Sequence, residues 1–177
     1  MKRAAFLDRD GVINRKPPEG QYVTRWEEMQ ILPGVAEAIA SLSGAGFCAI
    51  VVSNQRCVAK GLLTILELDS IHQRLCQKLA KAGAEITEVY YCPHDEHPPC
   101  GCRKPAPGML LGAARAHEIS LTASWMIGDS DIDVQAGRSA GCRTARILRS
   151  DQAAISAADV FAQSLLDAVH QILLRES

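Results

Sequence analysis

Phe6-Leu7-Asp8-Arg9-Asp10-Gly11-Val12-Ile13-Asn14 ends a short apolar run, Ala4 to Leu7, with two carboxylates one residue apart. The run has the length and character of a buried β-strand. Two carboxylates at the end of such a strand repel each other. The arrangement is tolerable if a cation lies between them, or if one attacks while the other moves protons. A surface Asp-x-Asp-Gly turn would look the same in isolation, since Asp-Gly is a common turn pair. The rest of the chain decides between the two.

Strand and helix patterns alternate on either side of this stretch. Cys48 to Val52 is a second β-rich apolar run. Before it, Gly34 to Ser43 carries Val35, Ile39 and Leu42 at helical spacing, and Gly44 and Gly46 end that helix. Thr64 opens the next helix, with Glu67 as its capping-box partner. Ile65, Leu68, Ile71, Leu75 and Leu79 carry its apolar stripe to about Lys81. Ile86 to Tyr91 reads as a third strand. Pro107 suits the first position of a helix that runs through Met109 to His117. Trp125 to Ile127 is a fourth strand, Val134 to Ala140 a short helix, Thr144 to Leu148 a fifth strand and Ser164 to Leu174 a closing helix. This alternation predicts an α/β fold: a Rossmann-like parallel sheet with helices on both faces, in one domain over residues 1–177.

In such sheets ligands bind outside the carboxyl ends of the strands. Asp8 and Asp10 follow the first strand, Ser53-Asn54-Gln55 the second, a Cys/His cluster with Arg103 and Lys104 the third, and Asp129 to Asp133 the fourth. All four loads meet on one rim, which favours a site over a turn. A carboxylate nucleophile, a second carboxylate, a hydroxyl and a lysine match phosphoryl transfer, where charge on the equatorial oxygens needs donors and cations. Ser53 donates, Lys104 brings a point charge, and Asp8 with Asp129 can hold Mg²⁺, which prefers oxygen ligands.

Composition bounds the class. The 177 residues are 47% hydrophobic and carry a net charge of −1. No global basic field exists to attract nucleic acid, and no apolar run approaches a membrane span. The start lacks a secretory h-region, so a cytoplasmic protein is expected. Among seven cysteines, Cys48, Cys76 and Cys142 read as small core residues, while Cys57 falls in a loop. Cys92, Cys100 and Cys102 cluster beside His94 and His97, and Cys₃His is a closed structural zinc set. The chemistry alone admits either imidazole. His72, His117 and His170 read as surface or capping residues, Trp26 and Trp125 as core, Asp131 as a solvated loop charge, and Arg143, Arg146 and Arg149 as a solvated face.

Asp8-Arg9-Asp10-Gly11, Val51-Val52-Ser53-Asn54, Arg103-Lys104-Pro105 and Gly128-Asp129 with Asp133 resemble, in order, the four motifs of the haloacid dehalogenase superfamily of phosphatases. The resemblance implies an aspartyl-phosphate on Asp8, with Asp10 protonating the leaving oxygen and then activating water. It implies Mg²⁺ on Asp8, Asp129 and the backbone carbonyl of Asp10, with Asp133 orienting Lys104 or the metal waters.

Cys92-Pro93-His94 followed by Cys100-Gly101-Cys102-Arg103-Lys104-Pro105 resembles the zinc loop (residues 92–102) of the heptose bisphosphate phosphatases and related histidinol-phosphate phosphatases. On that pattern Zn²⁺ takes Cys92, His94, Cys100 and Cys102. These are essentially capless members, so the loop from Asn14 to Val23 is expected to overhang the pocket. Ser53 to Gly61 is similar to the heptose branch's Thr-Asn-Gln-x-Gly-x-Ala-Arg-Gly, with Cys57 in place of a Gly and Lys60 in place of an Arg. Ser130 stands where that branch often has Lys or Arg.

The resemblance implies a monomeric enzyme that hydrolyses the 7-phosphate of D-glycero-D-manno-heptose 1,7-bisphosphate for surface-glycan synthesis. Ser53, Asn54, Gln55, Lys60, Arg103 and Lys104 would bind phosphate or substrate, and Arg56, Lys60 or the loop after Asn14 would grip the remote phosphate. Histidinol phosphate, a DNA 3′-phosphate, or a catalytically silent role on the same fold are the alternatives.

Overall fold

The structure, a computed structural model, describes residues 1–148 and 157–176. Its sheet is parallel throughout. β1 (Arg3–Leu7), β2 (Phe47–Asn54), β3 (Glu88–Cys92), β4 (Trp125–Gly128), β5 (Arg143–Ile147) and β6 (Val160–Ala162) lie in the order β3-β2-β1-β4-β5-β6. The chain winds outward from β1 to β3, then returns to the other side of β1 for β4. The helices are α1 (Val35–Gly44), α2 (Ile65–Lys81), α3 (Gly108–His117), α4 (Asp131–Ala140) and α5 (Leu165–Glu176).

Alternation along the central strands splits the core in two. Ala5, Leu7, Ala49, Val51, Trp125 and Ile127 face the side covered by α1, α2 and α5. Ala4, Phe6, Ile50, Val52 and Met126 face the side covered by α3 and α4. Both faces are apolar, so the central strands read as unbroken apolar runs. Leu68 and Leu75 of α2 are fully buried, and each contributes about 1.5–3 kcal/mol by leaving water. The Thr64–Glu67 capping box forms as expected: Thr64 Oγ1 accepts from Glu67 N at 3.2 Å, and Glu67 Oε2 accepts from Thr64 N at 2.6 Å.

Several boundaries move. β2 continues through Ser53 and Asn54, because their pairing with Tyr91 and Cys92 extends the ladder. β3 begins at Glu88, not at Ile86. Pro107 caps α3 instead of opening it. Ile65, placed on the apolar stripe of α2, is 48% exposed. β6 is additional to the expected strands, its three residues being too few to show a period. Asp131 is not a loop charge: it begins α4 and pairs with Arg146, which is buried and so not part of a solvated basic face. Arg143 lies over the Trp125 ring, and Arg149 falls outside the described residues.

Candidate active site

The site sits where the winding reverses, between β1 and β4. Leu7 is level with Val51 on one side and Ile127 on the other, so Asp8 leaves the sheet beside the ends of both neighbours. The Asp8 N–H donates to Ile127 O at 3.0 Å.

Lys104 reaches into this gap from the loop before α3. Its Nζ lies 2.8 Å from Asp8 Oδ1 and 2.6 Å from Asp133 Oδ1, and donates to Val52 O at 2.9 Å. Asn54 holds the lysine in place through its backbone: Asn54 Nδ2 donates to Lys104 O and Lys104 N donates to Asn54 Oδ1, both at 3.0 Å. Ser130 donates to the other oxygen of Asp133 from its backbone N and its hydroxyl. Asp133 can approach this closely because residue 128 is glycine. A Cβ there would lie 2.1 Å from the Cβ of Asp133.

Asp8, Asp129 and Asp133 bring carboxylate oxygens within 4.8 Å of one another. Asp133 is tied to the buried Lys104 and to Ser130, whereas Asp129 pairs with the exposed Lys16 of the overhanging loop, so Asp8 and Asp129 are the pair best placed for a hard cation. Lys16, from the overhanging loop, sets its ammonium on both Asp129 oxygens at 2.9 and 2.8 Å. Burial raises the Asp8 pKa to about 7; Lys104 opposes the shift, and Asp133 and Asp129 add to it. Burial works against the Lys104 ammonium, but Asp133 and Asp8 outweigh it and hold its pKa above the ordinary lysine value. A cluster short of positive charge fits a divalent cation.

Asp10 is pinned separately. Arg9 Nη2 donates to both of its oxygens at 3.0 and 2.9 Å, Asn14 Nδ2 to Oδ1 at 2.8 Å, and Gln55 Nε2 to Oδ2 at 3.1 Å. Burial raises its pKa, but Arg9 and these hydrogen bonds overcome that and hold the carboxyl below its usual range. Gln55 also donates to Ser53 Oγ at 2.7 Å, so the second motif and Asp10 form one network.

These groups open on a cleft of about 260 Å³, walled by Asp8, Asp10, Ser53, Asn54, Arg103, Lys104, Ser130 and Ile132. Residues 16–22 overhang it, as expected for the loop after Asn14. A larger cavity of about 730 Å³ lies behind that loop, between Val12, Val35, Ile147 and Leu165, away from the strand-end carboxylates. Among the described residues the cations on the cleft wall are Lys16, Arg103 and Lys104. Arg56 is not among them: it pairs with Asp95 at 2.6 Å and Glu96 at 2.9 Å in the cysteine loop. Lys60 is exposed and lies over the Tyr22 ring at 5.1 Å, outside the cleft lining.

The cysteine loop gathers four donors at one point, with the Arg103 backbone also hydrogen-bonded to the Cys100 sulfur. Sγ of Cys92, Cys100 and Cys102 lie 3.2–3.5 Å apart, and His94 Nδ1 lies 3.5 Å from Cys92 Sγ and 3.2 Å from Cys102 Sγ. Metal–sulfur bonds of about 2.3 Å in a tetrahedron require edges of about 3.7 Å, so a small outward relaxation would admit zinc. His94, not His97, belongs to the group.

The sequence missed Lys16, whose role depends on a loop path, and His72. Its place in a helix predicts a surface or capping role for His72, yet it is 4% exposed and touches Arg9. The remaining residues expected in the core or on the surface divide. Trp125 and Cys142 are buried, Trp26, Cys48 and Cys76 are half-buried, and His170 is exposed. His117 pairs with Glu88. Cys57 is buried against Gln55 Oε1.

Comparison with known proteins converges on one group. The profile of the family described as "HAD-hyrolase-like", the haloacid dehalogenase-like hydrolases, matches residues 101–168. The chain is 40% identical over 138 residues to the D-glycero-beta-D-manno-heptose-1,7-bisphosphate 7-phosphatase of Pseudomonas putida, covering 78% of each chain. It is 35% identical to the protein of that name from Vibrio cholerae, covering 97% of this chain and 94% of the relative. The crystal structure of the D,D-heptose 1,7-bisphosphate phosphatase of B. bronchiseptica, complexed with magnesium and phosphate, superposes with a TM-score of 0.88. The two are 31% identical and the match covers 99% of both chains.

Proposed function

We propose, from the premise that this chain belongs to the heptose-1,7-bisphosphate 7-phosphatase family of haloacid dehalogenase-like hydrolases, that it removes the 7-phosphate of D-glycero-D-manno-heptose 1,7-bisphosphate. The observation that carries this reading is the convergence of Asp8, Asp10, Ser53, Lys104 and Asp129 on one rim of a chain so similar to enzymes of that name.

Asp8 Oδ attacks phosphorus, and the bond from phosphorus to the sugar oxygen breaks. Asp10 gives its proton to that oxygen, releasing heptose 1-phosphate and leaving an aspartyl-phosphate. Asp10, now a carboxylate, takes a proton from water; the water oxygen attacks phosphorus, the bond to Asp8 breaks, and inorganic phosphate leaves. The resting Asp10 is held ionised, the form needed in the second step. A phosphate dianion beside it raises its proton affinity for the first. Ser53 and Lys104 donate to the phosphate oxygens, and Asn54 keeps Lys104 in register. Asp8, Asp129 and the Asp10 carbonyl would hold Mg²⁺, whose charge would screen the nucleophile from the phosphate. Asp133 orients Lys104. Lys16 and Arg103 are the cleft cations best placed for the remote phosphate, with Lys60 at the rim.

Cys92, His94, Cys100 and Cys102 would hold Zn²⁺, which would fix the loop that delivers Arg103 and Lys104, a structural role. None of the seven cysteines is in a disulfide, and a zinc site on reduced thiols fits a reducing cytoplasm. Among the described residues no helix is long and apolar enough to cross a membrane.

Turnover of both heptose bisphosphate anomers, heptose 7-phosphate, histidinol phosphate and a 3′-phosphorylated oligonucleotide tests the assignment. A heptose bisphosphate should give the highest kcat/KM. Histidinol phosphate or the oligonucleotide in first place would leave only the phosphatase chemistry.

A further inference from the structure

A buried polar chain runs from the middle of α2 to the cleft, and the two-step reaction above does not use its far end. Arg9 is fully buried between the two motif aspartates. Its Nε and Nη2 address Asp10, while Nη1 lies 3.1 Å from His72 Nε2, sixty-three positions away in the chain. A guanidinium carries only donors, so Nε2 must be the acceptor. The imidazole is therefore neutral and carries its proton on Nδ1, an atom that has no hydrogen-bond partner among the described residues. Burial, reinforced by the Arg9 charge, pushes the His72 pKa down to about 3, so it stays an acceptor at working pH. Tyr91 packs against the ring at 5.3 Å between centroids.

Such a position is costly for a histidine. A leucine would fill the same space beneath the sheet without a buried, unpartnered N–H. What leucine lacks is an acceptor for Arg9. Of the groups holding Asp10, Asn14 and Gln55 sit on the loops that build the cleft, whereas the Arg9 fork takes its last anchor from a helix.

We propose that His72 is a positioning residue for the phosphatase reaction: by accepting from Arg9 it fixes the guanidinium fork that aims the Asp10 carboxyl at the leaving oxygen. This rests on Asp10 being the proton-transfer group. The consequence is specific. An alkoxide leaving group needs the proton from Asp10, whereas p-nitrophenolate leaves without one. The first phosphoryl transfer, which kcat/KM reports, should depend on His72 only for the former.

The test compares heptose 1,7-bisphosphate with p-nitrophenyl phosphate in the full-length enzyme and in His72→Leu, His72→Gln and Asp10→Asn variants. His72→Leu should lose about 10²-fold in kcat/KM on the sugar phosphate, the scale of misplaced acid catalysis, with KM little changed and p-nitrophenyl phosphate only slightly affected. His72→Gln, whose amide oxygen can accept from Arg9, should recover most of the loss. Should the leucine variant fail to fold, His72→Met replaces it. Equal losses on both substrates, no loss on either, or a glutamine variant as poor as leucine overturns the proposal. Asp10→Asn separates the two ideas: if it too shows no difference between the substrates, the reading of Asp10 itself is what fails.

Discussion

Replacing Lys104 by Met should destabilise the protein and abolish turnover together. Lys104 is 2% exposed, and its ammonium touches Asp8, Asp133 and Val52 O. Methionine fills the volume but leaves two buried carboxylates without their cation. Removing one partner of a buried pair costs about 3–5 kcal/mol. For a domain of this size, 1 kcal/mol moves the melting temperature by roughly 2–4 °C, so Lys104→Met should melt about 6–20 °C lower. Adding Asp133→Asn removes one of the stranded charges, and the double variant should regain roughly 1–3 kcal/mol relative to the sum of the single effects. Activity should fall by at least about 10²–10³-fold, the scale of losing one preorganised donor to developing charge. Calorimetry of the three variants in buffer without added magnesium, with kcat/KM measured alongside, supplies both readings. A Lys104→Met protein that melts within about 2 °C of the parent, or additive effects in the double variant, would show that Lys104 does not hold the two carboxylates.

Asp8→Asn keeps size and hydrogen bonding but not the attacking charge, so turnover should drop by several orders of magnitude while the circular dichroism spectrum is kept; near-parental turnover contradicts an aspartyl-phosphate. Protein made without added metal should hold about one tightly bound zinc per chain, and Cys102→Ser should lower both zinc content and melting temperature; a zinc-free protein with unchanged melting removes the structural role. His72 has a folded pKa of about 3 against 6.5 for the free residue, so the unfolded chain binds the extra proton and stability falls as pH drops from about 6.5 toward 3. His72→Gln lacks that proton, and its loss of stability between pH 8 and pH 5 should be smaller by up to ~2 kcal/mol; parallel pH–stability curves would contradict a buried neutral imidazole.

The sheet and the rim were legible because the physics that builds them is local. Ala4 to Leu7 and Cys48 to Val52 are apolar on both faces of a sheet covered by helices, and such strands show as continuous runs. Asp8, Ser53, Lys104 and Asp129 could be brought together from sequence because carboxyl ends of parallel strands share an edge. What stayed hidden depends on loop paths and long-range packing. Arg56 looked like a phosphate cation, but Asp95 and Glu96 capture it, an outcome fixed by how the cysteine loop folds back. Lys16 enters the site only because its Pro-rich loop turns over the cleft. His72 has the spacing of an ordinary helix residue; only the burial of Arg9 reveals why it faces inward. The signal that was available is Arg9 itself, a long cation between two motif aspartates, which in a buried turn must find acceptors on every side.

Phosphorus NMR of D-glycero-D-manno-heptose 1,7-bisphosphate incubated with the protein and Mg²⁺ shows which phosphoester is cleaved. The primary 7-phosphate resonance should be lost to inorganic phosphate while the anomeric 1-phosphate resonance persists. Loss of the anomeric phosphate instead, or two resonances left intact by protein of confirmed fold and metal content, would contradict the 7-phosphatase assignment.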